Sequence, residues 1–377
     1  MNSKLILIFA AENAKEMENK WLNEAFKGEV PSDFQGKVGW SSPSNIALVK
    51  YWGKKGRQIP QNPSISFTLS ECRSETFISF EKADSFGFRF FFEGKENPAF
   101  GAKIEKFLFD YQAFFPFINQ LSLNVESRNT FPHSSGIASS ASSMSAFVMG
   151  LIEIERSLSL SKGRPTDIDF KKASYFSRLA SGSAARSVFP KMALWGVTDA
   201  YKGSSDEYAV SLENDIHPVF KTYRDSILIV SGETKSVSSR AGHGLMEGNT
   251  YASARYAQAN ENIKNLLEAL KSGDLDTFIN ITESEALQLH ALMMCSNPSF
   301  ILMKPNTLNL ISEIRGFREE TKIPLCFTLD AGPNVHLLYP ESEAEKVEYY
   351  IKNILVDYCD RERWIADRVG DGPKKLL

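Results

Sequence analysis

The chain has 377 residues, 42% hydrophobic and 24% charged, which are globular values and exclude wholesale disorder. A net charge of −3 excludes a global basic footprint for nucleic acid, while leaving room for a local Lys/Arg cluster around a small anion. Four widely separated cysteines, Cys72, Cys295, Cys326 and Cys359, with no C-x-x-C pair, argue against both a disulfide scaffold and a zinc ribbon.

Residues 1–37 read as an extension ending in the turn-rich Pro31-Ser32-Asp33. Its apolar run from Leu5 to Ala11 is short for a signal peptide, and no run reaches the ~20 residues of a membrane span. The expected location is cytoplasmic. Aromatic-rich runs at 76–81 and 86–92 flank Lys82-Ala83-Asp84-Ser85 and predict a hairpin. A helix is expected over 101–115, stopped by Pro116, then a short strand at 121–126. The Ser/Gly loop at 132–140 leads into an apolar helix at 141–157.

Pro165-Thr166 suggests another helix start, Thr166 as N-cap with Asp169 in capping-box position, running to Ala180. Strands follow at 192–197 and 226–231, and the domain boundary is placed before the second, near 220. Beyond it come helices at 250–271 and 275–295, strands at 323–329 and 335–339, and a last helix with one apolar face through Val347, Ile351, Ile354 and Tyr358. Helices mixed with hairpins predict α+β layers rather than a parallel βαβ array.

No P-loop, dinucleotide fingerprint, H-E-x-x-H or G-x-S-x-G occurs. Four other segments carry possible chemistry. Lys50 and Lys54, around Tyr51-Trp52-Gly53, suit a polyanion, though a solvated Lys-rich turn has the same spacing. Pro132–Ala141 delivers serines to a helix N-terminus, suited to a phosphate or to nothing more than capping. Ser181-Gly182-Ser183-Ala184-Ala185-Arg186 lets backbone approach a ligand beside a guanidinium, or is an ordinary turn with a surface Arg. Asp330-Ala331-Gly332-Pro333-Asn334 is a strand-end turn whose carboxylate suits a general base.

Taken in order, N-I-A-L-V-K-Y-W-G-K (45–54), N-P-S-I-S-F-T-L-S (62–70), P-H-S-S-G-I-A-S-S-A (132–141), S-G-S-A-A-R-S (181–187), V-S-S-R (237–240) and D-A-G-P-N (330–334) resemble the diphosphomevalonate decarboxylases of the GHMP kinase superfamily over roughly residues 38–360. The resemblance implies a two-domain GHMP kinase fold, with a ribosomal-protein-S5-like α+β domain over 38–220, a ferredoxin-like α/β-sandwich domain over 221–377 and the active cleft between them. It implies ATP-dependent decarboxylation of 5-diphosphomevalonate to isopentenyl diphosphate, with ATP and Mg²⁺ required and a homodimer as the assembly. No nucleic-acid or membrane partner is expected. Relatives acting on the monophosphate, a 3-kinase that stops before decarboxylation, and an inactive binding module are the alternatives.

By motif match, the catalytic residues implied are Asp330, facing the substrate 3-hydroxyl, Arg186, clamping its carboxylate, and Lys50 between them. Asn45, Tyr51, Lys54, Ser181, Gly182, Ser183, Ser239, Arg240 and Ala331 are implied in substrate binding. Ser134, Ser135, Gly136, Ala138, Ser139, Ser140 and Lys235 are implied at ATP, with Ser140 as a Mg²⁺ ligand.

Overall fold

The computed structural model describes residues 15–132, 137–163, 167–233 and 239–377. Two sheets organise them. In the first, β1 (Gln35–Val49) and β2 (Ser64–Lys82) run antiparallel over most of their lengths. Every β1 residue from Val38 onward is buried, so this strand lies inside the molecule rather than on it. β3 (Gly87–Phe92) and β4 (Leu121–Asn129) continue the sheet, and β5 (Met192–Trp195) and β6 (Ala209–Ser211) extend it from the early part of β2.

The hairpin expected at 76–92 does not form. β4 lies between β2 and β3, antiparallel to the first and parallel to the second. The excursion from β3 to β4 through α1 (Pro98–Asp110) provides the crossover that a parallel pair requires. Alternation along β4, with Leu121, Leu123 and Val125 buried and Asn124 and Glu126 exposed, puts one face on the core. Against that face pack α2 (Ser139–Ser161) and α3 (Phe170–Ala180), through Phe147, Leu151, Ile154 and Phe176. The start of α3 also differs from expectation. Asp169 is the N-cap, its carboxylate accepting from the N–H of Lys171 and Lys172, while Thr166 lies outside the described residues. Trp21, in the helix at 15–24, is buried in this same core, so that part of the N-terminal extension packs on the domain.

The second sheet has the order β8 (Cys326–Leu329), β9 (Val335–Tyr339), β7 (Arg224–Leu228), β10 (Trp364–Arg368), all antiparallel. Helices α4 (Ala252–Ser272), α5 (Leu275–Met294), α6 (Pro305–Thr321) and α7 (Ala344–Asn353) accompany it. The chain ends in β11 (Lys374–Lys375), which returns to pair with β1 in the first sheet. A continuous apolar cluster joins the two halves: Ile46, Leu48 and Phe67 of the first sheet touch the same core as Ile227, Ile263 and Phe278. Asp367 on β10 reinforces this joint by accepting the N–H groups of Ser70, Glu71 and Cys72. Cys72, Cys326 and Cys359 are buried free thiols and Cys295 is an exposed one.

Candidate active site

The end of β1 brings the site into being. Lys50 follows the last strand residue and is only 1% exposed, its Nζ donating to the Ala47 carbonyl at 2.5 Å. Burial drives its ammonium down to a pKa of about 8; the charges of Asp330, Glu285 and Asp225 oppose that fall, and Arg186 adds to it.

Arg186 closes a 3-10 turn, Gly182–Arg186, that follows directly on α3. Its guanidinium is buried at 2% exposure and donates to the hydroxyl of Ser66 at 2.9 Å, to that of Ser64, and to Asn45 Oδ1 at 3.3 and 3.4 Å. It also lies 5.8 Å from the Trp195 ring centroid, within cation–π range. Burial lowers its pKa to about 10, with Asp330 the largest opposing charge. Asn45 is itself oriented from the other end, Nδ2 donating to Ser187 Oγ at 2.8 Å and to the Ser183 carbonyl at 3.2 Å. Ser181 caps α3 and Gly182 sits hard against Tyr51, where a Cβ would come 2.9 Å from the phenol oxygen.

Asp330 follows the last residue of β8 at the mouth of the β8–β9 turn, partly exposed, and its charge acts on Lys50, Arg186 and His243 alike. The next residue, Ala331, is buried with Trp52 and Met293 in a small apolar cluster behind the turn. One carboxylate therefore faces two buried cations at the junction of the two sheets. Such an arrangement grips an anionic substrate and keeps a base beside it.

Several contributors escaped the sequence reading. Ser64 and Ser66 alternate at the start of β2 and so face one way, towards Arg186, while Asn62, just before the strand, donates Nδ2 to the Lys50 carbonyl at 3.1 Å. The period-two polar pattern inside N-P-S-I-S-F was the available signal. His243 was not legible at all. Its ring lies between Tyr51 and Trp52, with centroids 4.3 and 4.7 Å away, and Nδ1 accepts the Gly53 N–H at 3.0 Å. Burial and the nearby Lys54 hold its pKa down at about 3, so the imidazole is neutral with its proton on Nε2. Lys54 Nζ donates to Gln58 Oε1 at 3.0 Å.

Ser239 and Arg240 open the helical turn Ser239–Gly244, whose His243 meets the Lys50–Lys54 segment at the Gly53 N–H. Ser134, Ser135, Gly136 and Lys235 lie outside the described residues. Ala138 adopts a left-handed conformation (φ 39°, ψ 39°) and offers no side-chain cap, leaving Ser139 and Ser140 in the uncapped first turn of the 23-residue helix α2. Ser140 is exposed there, and its hydroxyl is a hard oxygen donor of the kind Mg²⁺ takes alongside phosphate oxygens. A helix start with the exposed Ser140 hydroxyl fits a nucleotide polyphosphate. Among the described residues no group of three His, Cys, Asp or Glu forms a metal cage, and no helix is long and apolar enough to cross a membrane.

Comparison with known proteins gives a consistent result. Residues 42–209 match the diphosphomevalonate decarboxylase-like N-terminal domain, and residues 226–374 the mevalonate 5-diphosphate decarboxylase C-terminal domain. The diphosphomevalonate decarboxylase of Schizosaccharomyces pombe is 28% identical over 89% of this chain and 93% of its own length. The mevalonate pyrophosphate decarboxylase from Streptococcus pyogenes superposes with a TM-score of 0.75 at 26% identity, over 92% of this chain and all of its own. A structure of MDDEF in complex with MVAPP, AMPPCP and magnesium superposes with a TM-score of 0.74 at 25% identity, over 91% of this chain and 99% of the other.

Proposed function

The chain belongs to the diphosphomevalonate decarboxylase family, and on that premise we propose that its Lys50–Arg186–Asp330 constellation performs the ATP-dependent decarboxylation of 5-diphosphomevalonate. The observation that carries this reading is the convergence of two buried cations on one carboxylate where the two sheets meet.

Arg186, already fixed by Ser64, Ser66 and Asn45, presents its remaining donors to the substrate carboxylate and holds it in a single orientation. Asp330 faces the 3-hydroxyl, taking its proton as the oxygen receives the γ-phosphoryl group of ATP, or answering the positive charge that builds at C3. Once phosphorylated, that oxygen leaves as phosphate with the C–O bonding pair. The C–C bond to the carboxylate then supplies its electrons to the new alkene, and CO₂ departs. Lys50 stands between the carboxylates of enzyme and substrate and balances their charge.

Lys54, Tyr51, Ser181, Ser183, Ser239 and Arg240 belong to the diphosphate end in this reading. The first turn of α2 would hold the nucleotide phosphates and Ser140 would hold Mg²⁺, which would supply neutralisation of the phosphoryl oxygens. The cytoplasmic location and the homodimer are supported by the family resemblance, and sedimentation reads the latter.

The test is an ADP-release assay with CO₂ trapped, offering mevalonate, 5-phosphomevalonate and 5-diphosphomevalonate in parallel. Equal ADP and CO₂ from the diphosphate alone is the expected result. ADP without CO₂, or preference for the monophosphate, overturns it.

A further inference from the structure

Lys50 is held from below by a group that has no part in the chemistry just described. β1 ends at Val49, so the Lys50 N–H has no ladder partner, and at this depth an unpaired N–H is costly. Glu285 on α5 supplies the acceptor, Oε2 lying 2.9 Å from the Lys50 nitrogen. The Lys50 carbonyl is held as well, by Asn62 Nδ2 at 3.1 Å and Arg255 Nη2 at 3.3 Å. Both peptide groups of the residue are thus fixed by side chains, two of them from helices that accompany the second sheet.

Glu285 has no exposed surface, and a carboxylate there needs compensation. It has four donors: Lys50 N–H, Arg255 Nη1 at 3.0 Å and Nη2 at 2.6 Å, and Asn262 Nδ2 at 2.6 Å. Stability alone does not account for such a pair, because well-packed apolar side chains hold buried helices together as well or better. An apolar side chain cannot, however, accept the Lys50 N–H. Glu283, two residues earlier, makes the contrast. It too is buried and pairs with two arginines, Arg315 at 3.2 Å and Arg318 at 2.5 Å, and these tie α5 to α6 without touching the site.

We propose that Glu285 is a positioning residue for the reaction: braced by Arg255, its carboxylate fixes the main chain at Lys50 and thereby sets where the ammonium stands relative to Asp330 and Arg186. The proposal rests on the reading that Lys50 serves the decarboxylation. A second consequence follows from the charge. The groups acting on the Lys50 ammonium are Asp330, Glu285 and Asp225, which favour protonation, and Arg186, which opposes it together with burial. Removing the Glu285 charge moves the ammonium further below its value of about 8, and leaves the Arg255 cation uncompensated nearby.

Three variants test this, with E283Q as the control for a lost buried ion pair on the same helix. In E285Q, kcat falls on the order of 10- to 100-fold, as expected for a displaced catalytic group, while KM for the diphosphate stays within about threefold. The alkaline limb of kcat/KM, expected in the parent where the Lys50 ammonium titrates at about 8, moves to lower pH. E285D keeps the charge but shortens the reach to the Lys50 N–H, so kcat falls and the limb stays. E283Q leaves both where they were. An E285Q protein with kcat within threefold of E283Q, or with an unmoved limb, overturns the proposal. Should E285Q not fold, E285D decides alone, and a kcat within about threefold of the parent overturns it. Failure of the functional reading is separate and shows in the unmodified protein, as ADP without CO₂ or no turnover.

Discussion

His290 Nε2 lies 3.0 Å from the main-chain carbonyl of Asp330, donating to it from the buried face of α5. The Gly332 N–H reaches the same oxygen at 2.7 Å, so the backbone that carries the Asp330 carboxylate is pinned at the strand end. A carboxylate on a fixed base, its charge acting on Lys50 and Arg186, suits the proposed role in the reacting state rather than one of anchoring the substrate. Asp330→Asn keeps the shape and removes the charge. Turnover should fall by about three orders of magnitude or more with little change in KM, the loss appearing equally in kcat and kcat/KM. Steady-state ADP release with the diphosphate substrate checks this, and turnover close to the parent would remove Asp330 from its role.

Arg186 uses a planar fork to satisfy Ser64, Ser66 and Asn45 together, and in the proposed function its remaining donors take the substrate carboxylate. Arg186→Lys retains a positive charge but has one ammonium in place of five N–H donors, and Asn45 and both serines lose their partner. A rate loss on the order of 10²-fold is expected from the misaligned carboxylate. The signature is a fall in CO₂ release at saturating substrate, accompanied by a lower melting temperature because buried oxygens of Ser64, Ser66 and Asn45 are left unpaired.

Lys50 is costly to the fold. Its pKa stands at about 8 against an ordinary 10.5, so the unfolded chain holds the proton more tightly. The penalty is about 3 kcal/mol, fully present below pH 8 where both states are protonated. Between pH 8 and 10.5 only the unfolded state keeps the proton, and stability recovers as pH rises. Lys50→Met should therefore abolish activity yet raise the chemical-denaturation midpoint at pH 7, the gain shrinking towards pH 10. A variant less stable than the parent at neutral pH would show that the ammonium is held favourably after all.

The motifs made Lys50, Arg186 and Asp330 legible as candidates because each lies in a contiguous run: K-Y-W-G-K, S-A-A-R-S, D-A-G-P-N. What they could not carry was support from distant chain. Glu285, Arg255 and Asn262 sit on two amphipathic helices, and nothing in a helical pattern separates a buried carboxylate beneath Lys50 from one on the solvent face. The missed β2–β4–β3 order has the same origin. Alternation along 76–92 reveals strands, but pairing is decided by what arrives later, here the half-buried β4. The N-cap error was local: Asp169 and Thr166 both suit a cap, and the Asp carboxylate, which accepts two N–H groups, won.

His243 provides a last test, through acid stability. Its pKa is about 3 in the fold because burial and the positive charges of Lys54 and Arg186 outweigh Asp330, whereas the ordinary value is 6.5. Below pH 6.5 the unfolded chain takes up a proton that the folded ring refuses, so stability declines as pH falls towards 3. Between pH 7 and 5 this amounts to at most about 2 kcal/mol, trimmed by solvent screening because the ring is partly exposed. His243→Phe keeps the stack between Tyr51 and Trp52 but has no titrating group and no acceptor for the Gly53 N–H. Its stability at pH 7 should drop by about 1 kcal/mol for the lost hydrogen bond, and its decline between pH 7 and 5 should be shallower than the parent's. Denaturant titrations at both pH values read the difference, and parallel declines in the two proteins would mean that the imidazole takes up its proton in the folded state.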